Sequence, residues 1–212
     1  MIWLNFRRGS HPKMLILWNE NLACLAVPKT GTTAIEAALA PFAAIRFERP
    51  PQAKHMTHKR FNRFIRPYLE MEGFENIETF AIMREPISWL GSWYRYRLRD
   101  DLIGTANSTS GLSFDDFVAA CCLPHDERPP FARIGAQSRM LAGNPKRPRV
   151  DHLFRYDAMD QALAFLAERI GASLTLDRRN VSTAAPMEIT ASTKKAYEEA
   201  ASADFDLYHS IA

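Results

Sequence analysis

Apolar runs along the chain are followed by polar loops and then by helix-forming segments. Residues 14–18 and 22–27 are two apolar runs separated by a short polar turn, so we expect a hairpin or two adjacent strands. The second run leads into the loop 28–33, and from Thr32 to Pro41 the chain is rich in helix formers, with a threonine available as cap. This part of the chain predicts a strand, loop and helix unit.

Two later segments repeat that organisation. Residues 79–83 predict a buried strand, after which the tripeptide at 84–86, Arg-Glu-Pro, leads into an aromatic-rich helix that ends near Leu98. Residues 152–155 predict another strand. Three strands of this kind, each followed by a helix, are typical of a parallel arrangement.

Helix boundaries are also marked between the second and third strands. Ser113 and Asp116 form a candidate capping box for a helix that runs through Cys122. Residues 133–141 predict another helix, which ends at Gly143. The interval between the strands is therefore predicted to be helical in two places.

The complete pattern predicts an α/β fold. Asp157 is expected to cap a final long helix that ends at Gly171. Alternating strands and helices indicate a P-loop-like three-layer domain with a central, mainly parallel sheet flanked by helices, and we expect residues 1–212 to form this single domain. Ligands of such sheets bind beyond the carboxyl ends of the strands, where Lys29 and Arg84 lie.

The loop 28–33 reads Pro-Lys-Thr-Gly-Thr-Thr and has the composition of an anion-binding turn. Gly31 allows backbone N–H groups to turn inward toward an anion at a helix N-terminus. Lys29 adds a positive charge. Hydroxyl donors are added by Thr30, Thr32 and Thr33. A surface turn can have the same composition, but the preceding apolar run and the following helix favour an anion site.

A nucleoside triphosphatase or kinase loop follows a different pattern, G-x-x-x-x-G-K-[ST]. Here Lys29 precedes Gly31, and no earlier glycine is nearer than Gly9. No apolar strand ends in an aspartate that could hold Mg²⁺, because the strand at 79–83 is followed by Arg84. A metal-free phosphate ligand is favoured, with a small-molecule kinase and a non-catalytic nucleotide-binding module as the alternatives.

The loop 28–33 and the segment that begins at Arg84 occur together, in this order, in one known family. The chain resembles the sulfotransferase superfamily, whose members pair P-K-[ST]-G-[ST]-[ST] with a downstream R-[DE]-P…S segment, and it is closer to the carbohydrate-modifying branch. The resemblance implies the donor 3′-phosphoadenosine 5′-phosphosulfate (PAPS), its product 3′-phosphoadenosine 5′-phosphate (PAP), a hydroxyl acceptor and no metal.

The resemblance assigns the two ends of the donor to two groups of residues. The residues assigned to the 5′-phosphosulfate are Lys29, Thr30, Gly31, Thr32 and Thr33. The 3′-phosphate is assigned to Arg84 and to Ser92, which follows it by eight residues as in the family. Ser88, nearer the helix start, could replace or assist Ser92. An arginine can fork onto phosphate oxygens while a serine donates from the helix.

Sulfuryl transfer also requires positive charge at the leaving phosphate and a base for the acceptor hydroxyl. Lys29 is the candidate for the first role. His55 is the first candidate for the base, because it matches the K-H-x-[ST] pattern of related sequences and imidazole titrates near neutral pH. His58 and Glu36 are the other candidates, and each of the three side chains also fits an ordinary solvated position.

Basic residues outside the two motifs bear on the acceptor. They are Arg60, Arg63 and Arg66, then Arg95, Arg97 and Arg99, and finally the loop 144–149. They fit either solvated surfaces or a groove for an anionic acceptor such as an acidic glycan or a glycolipid headgroup. The segment from Arg178 to Ser182 resembles a loop that closes over the nucleotide in the family.

Composition and charge restrict the partners further. The chain has 27 Lys and Arg against 24 Asp and Glu, and a formal net charge of +3 is too small to predict bulk binding to nucleic acid or membranes. The apolar run 14–18 is too short for a signal core or a stable membrane insertion. Cys24, Cys121 and Cys122 form no disulfide framework and no metal-ligand pattern, which favours the cytoplasm.

Overall fold

The computed structural model describes residues 13–176 and 186–211, so the predicted nucleotide-covering segment from Arg178 to Ser182 lies outside the described residues. The strands are β1 (Met14–Leu17), β2 (Leu22–Cys24), β3 (Ile45–Phe47), β4 (Glu78–Met83), β5 (Ala142–Asn144), β6 (Arg147–Arg149) and β7 (His152–Arg155). The α-helices are α1 (Thr32–Leu39), α2 (Pro51–Lys54), α3 (His58–Arg60), α4 (Arg66–Met71), α5 (Pro86–Arg97), α6 (Phe114–Cys122), α7 (Gln137–Leu141), α8 (Met159–Ile170), α9 (Ala191–Ala200) and α10 (Ser202–His209).

Five strands form one sheet in the order β3-β1-β2-β4-β7. The strands β2, β4 and β7 run parallel, as predicted, with Cys24 opposite Phe80 and Phe80 opposite His152. β1 pairs antiparallel with β2 on one side and with β3 on the other. The sheet is therefore mixed rather than mainly parallel. The basic loop 144–149 contributes to a separate antiparallel hairpin, β5–β6.

The short connection between β1 and β2 explains the mixed sheet. The turn is closed by a hydrogen bond from the N–H of Asn21 to the carbonyl of Trp18 at 3.3 Å. A connection of this length can only return the chain antiparallel, because a parallel neighbour needs a crossover of a dozen or more residues. β1 consequently runs against its two neighbours and occupies a position between them.

Alternating side chains of the sheet pack on helices at both faces. On one face, Met14 and Ile16 of β1 lie in a cluster with the helical segment 58–71, α7 and α10. On the opposite face, Leu15 and Leu17 pack with α1 and α8. A third cluster joins α5, α6 and α9. The sheet is thus covered by helices on both sides, and the loops at its ends remain free to form a site.

The helical segment from His58 to Met71 contains a wide turn at its centre. α3 continues into a π-helix, Phe61–Ile65, which continues into α4. The N–H of Arg66 donates to the carbonyl of Phe61, five residues earlier. Pro67 lacks an N–H and its ring conflicts with a carbonyl four residues before it, and a π turn accommodates this conflict.

Several predicted helix boundaries are corrected. The helix predicted at 133–141 is present only as α7, because Gly135 has a φ of +81°, which is incompatible with a continuous right-handed helix. α1 has Gly31 as its N-cap and no side-chain cap. Asp157 does not cap α8; its carboxylate accepts a hydrogen bond from the Tyr208 hydroxyl at 2.8 Å.

Other boundaries are confirmed. The Ser113–Asp116 capping box is present, with both reciprocal hydrogen bonds. Gly171 ends α8 in the left-handed conformation, with a φ of +64°. In the described ranges no helix combines the length and the apolar character needed to cross a bilayer.

Candidate functional site

Two parallel strand ends lie side by side at the candidate site. The N–H of Leu25, just beyond β2, donates to the carbonyl of Phe80 on β4 at 2.8 Å. β4 leads directly into Arg84, whose Nη1 lies 3.5 Å from the carbonyl oxygen of Lys29. The structure thus brings Lys29 and Arg84 together at the carboxyl edge of the sheet, as expected for residues that follow neighbouring parallel strands.

The backbone of the loop is curled toward the start of α1. Lys29 and Gly31 both have positive φ, +68° and +76° respectively. The N–H groups of Ala34 and Ile35 bond to the carbonyl of Gly31 at 3.0 and 3.3 Å. Because no side chain caps α1, the other N–H groups of its first turn are available to an anion.

The loop is held from two sides by aromatic residues. The Trp89 indole N–H on α5 donates to the carbonyl of Pro28 at 2.8 Å. A Cβ at Gly31 would lie 3.1 Å from the Tyr156 ring and 3.3 Å from the Met159 methyl group. The close approach and the positive φ together require glycine at this position.

The three threonines of the loop have different surroundings. Thr30 is fully buried, and its hydroxyl donates to the carbonyl of Val27 at 2.9 Å, so the hydroxyl is committed to the loop itself. Thr32 is buried and lines a small cleft with Glu36 beside β1. Thr33 is half-buried at the first turn of α1. Of the predicted donors, Thr30 therefore retains only its backbone N–H for a ligand.

Lys29 lies in a positively charged environment. Burial and the nearby charges of Arg84, Arg99 and Arg95 together lower the pKa of its ammonium to about 8, with burial as the largest cause. The Nζ atom lies 4.3 Å from the centre of the Tyr96 ring, within the range of a cation–π contact. The site thus concentrates positive charge where water is partly excluded.

Arg84 is positioned by a serine and an aromatic ring. Its Nε donates to the hydroxyl of Ser88 at 2.8 Å, and its guanidinium lies 4.5 Å from the centre of the Tyr156 ring. Burial lowers the pKa of Arg84, but an arginine remains protonated. Ser92 is buried one helical turn further along α5. The structure therefore joins Arg84 to Ser88, the second of the two serines considered.

The backbone of Arg84 is fixed by a buried amide. Gln137, which is fully buried, accepts from the Arg84 N–H at 3.0 Å and donates to the Arg84 carbonyl at 2.8 Å. The carboxylate of Asp204 in turn accepts from the N–H groups of Gln137 and Ser138 at 3.1 and 2.8 Å. The start of α7 and the C-terminal helix α10 thus fix the backbone from which the Arg84 side chain extends.

His55 lies against the strand that leads into the loop. Its Nδ1 is 2.7 Å from the carbonyl of Ala26, so Nδ1 carries the proton and Nε2 has a free lone pair. Burial lowers the pKa of His55, which keeps the ring neutral near pH 7. A neutral imidazole fixed in this tautomer, on the carbonyl of Ala26 three residues before Lys29, has the properties of a general base.

His58 lies at the opposite end of β4. Its Nε2 accepts from the Asn62 amide at 3.0 Å and lies 3.3 Å from the Thr79 hydroxyl. Thr79 is four residues before the end of β4, about 13 Å from it at 3.3 Å per residue. Burial lowers the pKa of His58 to about 4. The structure does not bring this candidate base to Lys29.

The fold also places Glu36 and the arginines of the two predicted rows in different parts of the molecule. The Glu36 carboxylate is buried and lies 3.6 Å from the Lys13 ammonium, on the β1 side of α1. The arginines take three positions: Arg60 and Arg63 are exposed, Arg66 and Arg97 are buried in hydrogen bonds, and Arg95 and Arg99 lie near Lys29. Only the last pair belongs to the candidate site.

Sequence reasoning missed Tyr156, Gln137 and Asp204 as parts of the site. Tyr156 follows β7 as Arg84 follows β4, so its place after the third parallel strand is a signal that could have revealed it. No local pattern indicates Gln137 or Asp204, because both act through contacts more than 50 residues away along the chain.

Within residues 13–176 and 186–211, no three or more His, Cys, Asp or Glu side chains are grouped so that they could hold a metal ion. Comparison with known proteins gives no match of this chain to a protein-family model, to a curated protein or to a solved structure.

Proposed function

We propose that this chain is a sulfotransferase that moves a sulfuryl group from PAPS to a hydroxyl group of an acceptor. The observation that carries the proposal is the buried group of cations where the ends of β2 and β4 meet. The charged side chains that shift the pKa of Lys29 are three arginines, Arg84, Arg99 and Arg95, and all of them lower it. Like charges that are partly removed from water are stabilised by a ligand with several negative charges.

Two neighbouring anion positions support a ligand with phosphate groups at both ends of a nucleoside. Lys29 and the N–H groups at the start of α1 suit the 5′-phosphosulfate. Arg84, with Ser88 or Ser92 as hydroxyl donor, suits the 3′-phosphate, because a guanidinium can bind two phosphate oxygens. A loop between a parallel strand and a helix is the arrangement of P-loop-like folds, and we include that fold in the proposal.

The residues of the site have the roles that sulfuryl transfer requires. Nε2 of His55 takes the proton of the acceptor hydroxyl while the acceptor oxygen bonds to sulfur. Lys29 and the loop N–H groups stabilise the negative charge left on the 5′-phosphate when its bond to sulfur breaks. His55 is preferred over Glu36, whose carboxylate pairs with Lys13, and over His58 at the far end of β4.

The acceptor in this proposal is an anionic carbohydrate or glycolipid headgroup. Arg95 extends the positive charge beyond Lys29, and Arg99 lies beside it in an ion pair with Asp101 at 3.0 Å. Positive charge at the entrance of a site raises the local concentration of an anionic acceptor and its rate of association. A labelled-sulfate assay with PAPS, run over acidic glycans, neutral glycans and simple alcohols, tests this preference, and His55→Ala tests the base.

Calorimetry with PAP tests the donor site directly. We expect tight binding to the wild type and an affinity about 10- to 100-fold lower for Arg84→Ala, because a charge-assisted contact to the 3′-phosphate is lost. Arg139→Ala, at an exposed position on α7, is the matched control and is expected to bind as the wild type. Equal affinities of wild type and Arg84→Ala would remove the 3′-phosphate assignment.

The same samples separate the alternative functions. Binding of ATP with Mg²⁺ but not of PAP would indicate a kinase. Tight binding of PAP without transfer to any acceptor of the panel would indicate a non-catalytic nucleotide-binding module.

A further inference from the structure

A row of large apolar side chains is exposed on the helical segment 58–71. Six large hydrophobic residues are exposed in the described parts of the chain, and three of them lie here: Phe64, Tyr68 and Met71, with 55%, 52% and 79% exposure. Their spacing of four and three residues places them on one face of the helix. The inner face, with Phe61 and Leu69, is buried in the core. The apolar row is therefore a surface feature rather than part of the core.

The charges on this outer face are separated into two halves. Exposed basic residues precede the apolar row: Lys59, Arg60 and Arg63. Exposed acidic residues lie at its end and just beyond the helix: Glu70 in the last turn of α4, Glu72 at its C-cap and Glu75 in the turn that follows. None of these six takes part in a salt bridge within the described ranges. The segment from Lys59 to Glu75 thus presents a basic half, an apolar centre and an acidic half that begins in the last helical turn and continues past the helix end.

We infer that this face binds a second copy of the chain, with the two helices antiparallel across a two-fold axis. An axis near position 66 places Phe64 opposite Tyr68 of the other copy, and it places Arg60 opposite Glu72. Both contacts occur twice, as a two-fold interface requires. The basic half of each helix then meets the acidic half of its partner, so the pattern is complementary to itself.

The charge pattern favours a second copy over a membrane. An amphipathic helix that lies on anionic lipid has basic residues along its polar face. Here the acidic half would be repelled by such a surface, whereas the antiparallel pair uses both halves. One helix face buries less area than a standard interface, so we expect a dimer that dissociates at roughly micromolar concentration.

Sedimentation velocity with charge-reversal variants tests the inference. Arg60→Glu and Glu72→Arg change exposed positions and should leave the melting temperature unchanged. Each single variant places like charges opposite each other twice, so we expect at least a tenfold weaker dimer. An equimolar mixture of the two single variants restores opposite charges at both contacts, and we expect it to dimerise as the wild type does.

The double variant R60E/E72R should also dimerise, because it exchanges the charges within each chain. Phe64→Ser removes apolar area without a change of charge and should weaken the wild-type dimer and the mixed dimer alike. A wild type that remains monomeric at a concentration on the order of 100 µM overturns the inference. A mixture of the two single variants that stays monomeric while the wild type dimerises overturns the antiparallel pairing.

Discussion

The two ends of β4 both hold buried cations, Arg66 at the amino end and Lys29 at the carboxyl end, and carboxylates shift the pKa of the first but not of the second. At the amino end, Thr79 donates to the Asp151 carboxylate from its N–H and its hydroxyl at 2.8 and 2.7 Å, and Arg66 donates to the Asn62 amide oxygen at 2.7 Å. At the carboxyl end, Lys29 is surrounded by arginines, and the charged groups that act on its pKa include no carboxylate.

This difference separates a structural polar cluster from a ligand site. At the amino end, burial and the charge of Arg147 lower the pKa of Arg66, and the carboxylates of Asp151 and Glu70 oppose that change, so the folded chain itself partly offsets the buried cation. The carboxyl end contains repulsion that folding alone leaves in place, and strain of this kind is found where a protein binds something of opposite charge. The comparison predicts that substitutions at the two ends affect different properties.

The largest effect is expected from Lys29→Met. Loss of the ammonium should lower the rate of sulfuryl transfer by roughly 10³-fold, because the charge on the leaving phosphate loses its main stabilising group. The same substitution should raise the stability of the ligand-free protein, by on the order of 1 kcal/mol, because it removes a partly buried charge among arginines. Chemical denaturation and single-turnover assays measure the two quantities.

Lys146→Met, at an exposed position in the β5–β6 turn, is the control and should change neither quantity. A Lys29→Met protein that is less stable than the wild type and still fully active would contradict the distinction between the two ends.

The sequence predicted the carboxyl end of the sheet better than the amino end. Lys29, Gly31 and Arg84 follow apolar strands directly, so local pattern and strand direction were enough to place them together. His58 was misjudged as a candidate at that end, because it is buried in contacts with Asn62 of the π-helix and with Thr79 at the amino end of β4. Such contacts between distant segments leave no periodic signal in the chain.

Two further features of the fold lay beyond sequence reasoning for the same physical reason. β3 has only three residues, Ile45–Phe47, and a strand that short shows no measurable alternation. Gln137 contacts Arg84 at a separation of 53 residues, and only the folded chain reveals that contact. The apolar runs of the sequence thus predicted the longer strands. The position of β1 between two antiparallel neighbours depends instead on the short turn between β1 and β2.

A smaller effect, on stability alone, is expected from Asp151→Asn at the amino end. Burial raises the pKa of Asp151, but hydrogen bonds from Thr79 and the charges of Arg66 and Arg147 outweigh it, so the pKa lies below the usual value. The carboxylate therefore contributes stability that is present above the unfolded pKa of about 3.9 and is lost as pH falls through the folded pKa. Urea titration should show a loss of about 1 to 2 kcal/mol near pH 7.

PAP affinity should be the same in Asp151→Asn and in the wild type, since Thr79, the partner of Asp151, is five residues before Arg84 along an extended strand, roughly 16 Å away. Asp126→Asn, at a fully exposed carboxylate, serves as the control for stability. A tenfold loss of PAP affinity in Asp151→Asn would show that the two ends are coupled.

The pH dependence of PAP binding tests the carboxyl end of β4 without removing any side chain. Free Lys29 has a pKa lowered to about 8, and a bound polyanion favours the ammonium form. Affinity should therefore be fully present below pH 8 and fall as pH rises above it, by at most about tenfold per pH unit. Lys29→Arg keeps its charge over this range, so calorimetry should show no such fall. A parallel decline in both proteins would assign the effect to another group.

The smallest effect concerns Gln137, which acts on the site only through Arg84. Gln137→Met removes both hydrogen bonds to the Arg84 backbone, and we expect PAP affinity to fall about fivefold, because the guanidinium is less well placed for the 3′-phosphate. Adenosine 5′-phosphate lacks that phosphate, so its affinity should stay unchanged. The ratio of the two affinities, measured by calorimetry, separates lost positioning from a general loss of stability.

A double-mutant cycle completes the test of Gln137. In the Arg84→Ala background the guanidinium is absent, so Gln137→Met should cause no further loss of PAP affinity. If the two substitutions lower the affinity independently, Gln137 does not act through Arg84. PAP affinity would then depend on the packing of α7 itself and not on the position of Arg84. The two ends of β4 would differ only in their charges.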